Sequence, residues 1–245
     1  EAFRKKALEL LLGLAKDYFT HFKKFEVAKP RERMTLVVAS DRSALSAYLG
    51  ETIPDAVRGM YVPKTNDLMF FDNRADGPDP NAAKDNTLVL FHEATHQLTF
   101  NTGLLSREGD IPLAIAEGLA CYAEVRGIGG RPPIGARNLR RLAGLRPARP
   151  GAPVELAPVS SLIADDERMT APDTQQVGYS EAWLLVHYLQ IPLFLLVALS
   201  VCWLVRDEPG IPAQLCRLAM LVFASTFLAF DTAAGVVIGE LIDMA

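Results

Sequence analysis

Histidine and cysteine are scarce in this chain, with four and three residues respectively among 245. Cys121, Cys202 and Cys216 make no even framework and lack the spacing of a zinc knuckle, which excludes a disulfide-stapled fold and an all-cysteine metal site. Neither sign of charge dominates: 25 Lys and Arg stand against 29 Asp and Glu, for a net charge of −4. Nothing global therefore points to nucleic acid or to an anionic membrane surface as a partner. The polar residues of 72–86 lack the spacing of a calcium-binding EF-hand loop and read as a solvated loop. The chain opens at Glu1 with no charged-then-apolar leader, which reads as a mature form or a fragment. Its length suits one good-sized domain, or one domain with an appendage.

The scarcity of histidine makes the placement of two of them informative. Phe91-His92-Glu93-Ala94-Thr95-His96-Gln97 is an H-E-x-x-H motif within a helical pattern. Histidines four apart on a helix project from one face, so both imidazoles can reach one metal ion, and Glu93 can face a metal-bound water as general base. The motif calls for a third ligand downstream. Glu117, with twenty residues between it and His96, lies in a second helical segment, Ala116-Glu117-Gly118-Leu119-Ala120-Cys121-Tyr122-Ala123-Glu124.

The boundaries of both helices are legible. The first has Asp85, Asn86 or Thr87 as N-cap and Gly103 as its stop; the second opens at Asp110-Ile111-Pro112 and closes at Gly127. The short polar link Ser106-Arg107-Glu108-Gly109 suits two packed helices. Glu117 can then complete a His₂Glu site with a fourth position open to water, the mark of a catalytic zinc. The bland alternative is a hydrogen-bonded core histidine pair with Glu117 as a solvated helix residue. Cys121, one turn past Glu117, reads as a small buried residue and not a ligand.

The run His92 to Gln97, with Phe100-Asn101-Thr102-Gly103-Leu104, Arg107, Asp110, Pro112 and Glu117-Gly118-Leu119-Ala120, resembles the gluzincin metallopeptidases. More narrowly, it resembles a bacterial peptidase-MA-like domain long labelled as being of unknown function. The resemblance covers about residues 1–189 and implies His92, His96 and Glu117 as zinc ligands and Glu93 as base. One position departs from the family pattern. An aromatic residue, usually tryptophan, is expected three positions before the third ligand, where this chain has Ala114.

Elsewhere the pattern predicts an amphipathic helix over 2–26, with Phe3, Ala7, Leu10, Leu11, Leu14, Tyr18, Phe22 and Phe25 at near-helical spacing and His21 on the solvated face. A strand over 34–39, a helix capped by Asp41 and ended by Gly50, and two strands over 59–62 and 68–71 follow. In the gluzincins such a sheet walls the cleft, and an edge strand pairs with extended substrate; which strand would do so here is open. The Gly-, Pro- and Arg-rich stretch 126–158 reads as a loop around one short helix, with Arg137, Arg140 and Arg141 on the surface. A further amphipathic helix is expected over 179–189. In the related enzymes a downstream tyrosine or histidine donates a hydrogen bond to the developing oxyanion, which implies Tyr179, at the start of this helix, as the better candidate, with His187 and Tyr188 as packing residues.

After Leu189 the composition turns apolar. Ile191 to Val205 approaches the minimum for spanning a bilayer, and Gln214 to Ile242 is longer, though interrupted by Arg217, Asp231 and Glu240. These stretches read as a transmembrane hairpin, with a buried hairpin or a foreign tail from joined reading frames as alternatives. Arg206 and Arg217 would place the connection in the cytoplasm and the soluble domain outside.

The expectation is thus an α+β domain over 1–189, with a small sheet packed on zinc-binding helices, followed by an apolar helical hairpin over 190–245. Its expected activity is zinc-dependent hydrolysis of a peptide or protein substrate through a metal-bound water activated by Glu93, at a membrane and with no nucleic-acid partner. The rival readings are a non-catalytic metal-binding or scaffold module, and a membrane protein with an incidental soluble domain.

Overall fold

The structure, a computed structural model, describes residues 1–77, 79–125, 133–146 and 156–188. Helix α1 runs Ala2–His21 and ends when Phe22 N–H bonds back to the Tyr18 carbonyl. The apolar pattern outlasts the helix: a 3₁₀ turn over Lys23–Phe25 and a left-handed Glu26 (φ 51°) redirect the chain. Phe25, expected on the buried stripe, is consequently 59 % exposed. Strand β1 (Thr35–Ala39) leads to α2 (Arg42–Leu49), whose ends are as expected. The Asp41 side chain accepts from Ala44 N–H, and Gly50 closes the helix at φ 75°.

Strands β2 (Gly59–Val62) and β3 (Asp67–Phe71) complete a three-stranded sheet in the order β1-β3-β2. β1 runs parallel to β3, and β2 runs antiparallel to it. Because side chains alternate across a strand, β3 serves two cores at once. Leu68 and Phe70 face the main core with Leu14, Tyr18, Leu90, Phe91 and Trp183, while Met69 and Phe71 pack with Leu45 and Ile53 on the α2 side. Each fully buried side chain of this size contributes about 1.5–3 kcal/mol.

Helix α3 spans Ala82–Asn101, starting ahead of the expected caps Asp85, Asn86 and Thr87. The turn that launches it is set by Asp79, which accepts from Asn81 N–H through its side chain and from Ala82 N–H through its carbonyl. Residues 82–86, expected in a loop, are therefore helical. Buried Asn86 bonds instead across to Asn73 and Asp72. At the other end Gly103, at φ 74°, follows the cap residue Thr102, as expected. Helix α4 spans Leu113–Ala123, with Leu113 N–H held by the Asp166 carboxylate. It ends at Ala123, ahead of the expected stop Gly127, which lies outside the described residues.

Short helices α5 (Leu139–Gly144), α6 (Val159–Ala164) and α7 (Glu167–Thr170) precede α8 over 175–188. Ala114, where an aromatic residue was expected, is fully buried against Leu162, Met169 and Ala182, so the space belongs to α6, α7 and α8. Among the described residues no helix is long and apolar enough to cross a membrane. The apolar hairpin expected over 190–245 lies outside the described residues.

Candidate metal centre

The site is built on α3 and α4, which pack side by side. His92 and His96, one turn apart on α3, and Glu117 on α4 are all buried. His92 Nε2 lies 2.9 Å from Glu117 Oε2 and 3.3 Å from His96 Nε2, and His96 Nε2 lies 3.4 Å from Glu117 Oε1. Nitrogen and oxygen ligands ~2.0–2.1 Å from a tetrahedral ion stand about 3.3 Å from one another. The three side chains expected as ligands thus meet at the separations that one ion would require.

Behind His92 sits a carboxylate that the sequence analysis gave no role. Glu124, two turns past Glu117, places Oε1 2.9 Å from His92 Nδ1 and is itself almost wholly buried. Asn138 Nδ2 donates to Glu124 Oε2 at 2.8 Å, and Arg141 clasps both carboxylate oxygens through Nε and Nη2. Arg141, expected on the surface, is only 6 % exposed: α5 turns it inward against Glu124. The guanidinium also lies over the Tyr179 ring, with Cζ 5.2 Å from its centre. Cys121 is buried as expected, and its thiol is pushed up to about 11, by burial first and then by the Glu124 charge. With His92 and Glu124 it also forms a second cluster of potential ligand atoms within 4.8 Å of one another.

The donor inventory decides what this cluster lacks. Burial opposes ionisation of Glu124, but hydrogen bonding from His92 and the Arg141 charge outweigh it and hold its carboxyl at about 2. It is therefore an acceptor only, and His92 Nδ1 must donate to it. A neutral imidazole has one N–H, so His92 Nε2 is left presenting a lone pair to the Glu117 carboxylate 2.9 Å away. That convergence of acceptors calls for a cation. Supplied as a proton, the charge lifts His92 well above its ordinary value: burial works against it, and bonds with Cys121, Glu117 and Glu124 prevail. Glu117 is driven the other way, its burial outweighed by the His96 charge and the His92 bond. His92, His96 and Glu117, with Glu124 behind, form a possible metal site.

The remaining expected residues surround a cleft of about 460 Å³ opening onto the cluster. Glu93, half-buried on α3, lines it beside His92, as do Gly59 at the start of β2, Arg140, Gln175, Gln176 and Tyr179. Tyr179 stands one turn inside α8 and not at its start; its ring centre is 5.9 Å from that of His92. Burial, reinforced by the Glu117 charge, holds its hydroxyl protonated far above the usual range. Two glycines make these approaches possible. A Cβ on Gly118 would lie 2.4 Å from the Ala182 carbonyl, so α8 can sit directly on α4. A Cβ on Gly59 would lie 2.6 Å from Val89 Cγ1, where β2 meets α3. His187 stacks on Trp183 and His21 contacts Tyr122, both apart from the cluster.

Residues 86–192 match the family model described as a protein of unknown function (DUF1570). No curated protein and no solved structure matches the chain. The matched segment takes in α3 from Asn86 onward, α4, α5 and α8, and so every residue of the cluster.

Proposed function

We propose that this chain is a zinc-dependent peptidase of gluzincin type, with His92, His96 and Glu117 as ligands. The observation that carries the reading is the convergence of two imidazoles and a carboxylate on one point beside a second carboxylate, Glu93, that faces a cleft. Two imidazoles and a carboxylate suit zinc better than calcium or magnesium, which favour all-oxygen sites. A bound zinc would supply Lewis-acid polarisation of the scissile carbonyl and make water acidic enough to attack near neutral pH. Glu93 takes the proton from the attacking water and passes it to the leaving amine. Tyr179, kept protonated, donates to the oxyanion as it forms. Gly59 opens an edge strand onto the same cleft, where the backbone of an extended peptide can pair with β2. The apolar residues of 190–245 serve, in this reading, to anchor the domain at a membrane; release by carbonate without detergent would remove that part of it.

Elemental analysis should find about one zinc per chain, and a peptide library should be cleaved. Glu93→Gln should keep the zinc and lower hydrolysis by about 10²–10⁴-fold, the range of a lost general base. A fully active Gln variant would overturn the mechanism. Zinc binding with no cleavage of any peptide would leave a metal-binding module without turnover.

A further inference from the structure

We infer that Arg141 is a positioning residue that couples the metal ligands to Tyr179, an inference that rests on the metal-site reading above. One guanidinium makes two unlike contacts. Its Nε and Nη2 hold Glu124, which in turn fixes the tautomer and ring orientation of His92. Its Cζ lies over the Tyr179 ring, 5.2 Å from the ring centre. Arginine suits both tasks because its planar fork binds a carboxylate in two places while its face stacks on an aromatic ring; lysine, a point charge on a flexible stem, can do only part of either.

A purely structural role accounts poorly for this arrangement. Arg141 and Glu124 are both nearly buried, and a buried ion pair commonly returns less than its desolvation costs, so that a neutral pair of similar volume serves stability as well or better. What a neutral pair cannot do is present a fixed anion to His92 Nδ1 and a rigid plate to Tyr179 together. Outer partners of this kind set the aim of the ligands they touch. Arg141 comes from a short helix that is separate in sequence from α3, α4 and α8, so it ties three other elements to one geometry.

The test combines zinc affinity, measured by chelator competition, with kinetics. The double variant Glu124→Gln/Arg141→Met removes both buried charges and should fold cooperatively, yet bind zinc 10–100-fold more weakly, as loss of an outer partner typically does. Should it fail to fold, Glu124→Asp keeps the ion pair while withdrawing from His92 and should weaken zinc in the same direction. Arg141→Lys should hold zinc within about threefold but lower kcat about tenfold or more, since the charge stays and the fork and stacking are lost. That kcat loss should vanish in a Tyr179→Phe background, because the two residues act together. A folded Glu124→Gln/Arg141→Met or Glu124→Asp variant with wild-type zinc affinity, or additive losses in the Arg141→Lys and Tyr179→Phe pair, would overturn the inference. Absence of zinc binding by the wild-type chain would overturn the metal-site reading and this inference with it, which separates the two failures.

Discussion

Helix α3 carries two buried polar clusters little more than a turn apart, and they are satisfied in different ways. Toward its C-terminus, Gln97 Nε2 donates to the carbonyls of Thr35 and Asn66, and the side-chain amides of Asn66 and Asn101 bond to each other in both directions. Asn66 also donates to the Arg33 carbonyl, and Arg107 closes the set on Asn66 Oδ1. Amides carry donor and acceptor together, so this cluster completes itself and fastens the sheet to the helix. The His92 cluster has the opposite stoichiometry. Glu124 takes the one N–H of a neutral His92, so His92 Nε2 and Glu117 Oε2 face each other at 2.9 Å as two acceptors. Burial alone therefore does not set a possible metal site apart; two acceptors facing each other at hydrogen-bond distance do.

The sharpest way to break this contrast is to remove a member of the unbalanced set. His96→Ala should lower zinc affinity by more than about a hundredfold, beyond the effect of an outer partner. Chelator competition checks this, and a zinc affinity within about tenfold of wild type would leave His96 a hydrogen-bonded core residue. The complementary effect is stabilisation by zinc. At a hundred times its dissociation constant zinc should raise wild-type stability by about 2.7 kcal/mol, by mass action on the folded state. Chelator should reverse this in thermal melts, and His96→Ala should abolish it at the same zinc concentration.

The self-sufficient cluster should respond in the opposite manner. Asn66 sits at φ 61° just ahead of β3, and its side chain joins the Arg33 carbonyl ahead of β1 to Asn101 of α3. Asn66→Ala should cost about 2–3 kcal/mol, combining lost buried hydrogen bonds with a left-handed backbone that alanine resists. Zinc affinity, read by the same competition assay, should stay within about twofold of wild type, since sites without shared partners behave independently. A parallel fall in zinc affinity would show that the two clusters are one unit.

These clusters were unequally legible in the sequence. His92, His96 and Glu117 announced themselves because their spacing on two helices is itself the geometry of the site. The helix capped by Asp41 and the strand limits near 59–62 and 68–71 were legible for a similar reason, since caps and period-2 patterns are local. The start of α3 was not: Asp85, Asn86 and Thr87 all have cap chemistry, yet Asn86 is engaged by Asn73 and Asp72 across a tertiary contact. Glu124 left a faint signal as a lone carboxylate seven residues beyond Glu117 on the same helical face, after an uncharged run. Arg141 left none. Its neighbours Arg137 and Arg140 are exposed, and only the fold distinguishes the one that α5 turns inward.

The smallest expected effect belongs to a third polar contact of α3, on the face turned to α1. Tyr18 is fully buried, and its hydroxyl donates to Thr102 Oγ1 at 2.9 Å, whose own proton goes to the Leu98 carbonyl. This pair is balanced, like the amide cluster, and carries no charge while the phenol keeps its proton. Burial pushes that phenol up to about 12, more than the Thr102 bond lowers it. A tyrosine in the unfolded chain ionises near ~10. Between those values the unfolded state releases a proton that the folded state retains, so stability falls as pH rises, by at most about 2.7 kcal/mol at the upper end. Below pH ~10 the contribution is fully present. Tyr18→Phe should therefore cost about 1 kcal/mol at neutral pH through the lost hydrogen bond and leave Thr102 satisfied as a donor. It should also flatten the alkaline limb of a urea-denaturation series taken from pH 8 to 11.5. If the variant and the wild type lose stability in parallel across that range, the alkaline sensitivity lies elsewhere and Tyr18 is only a packing residue.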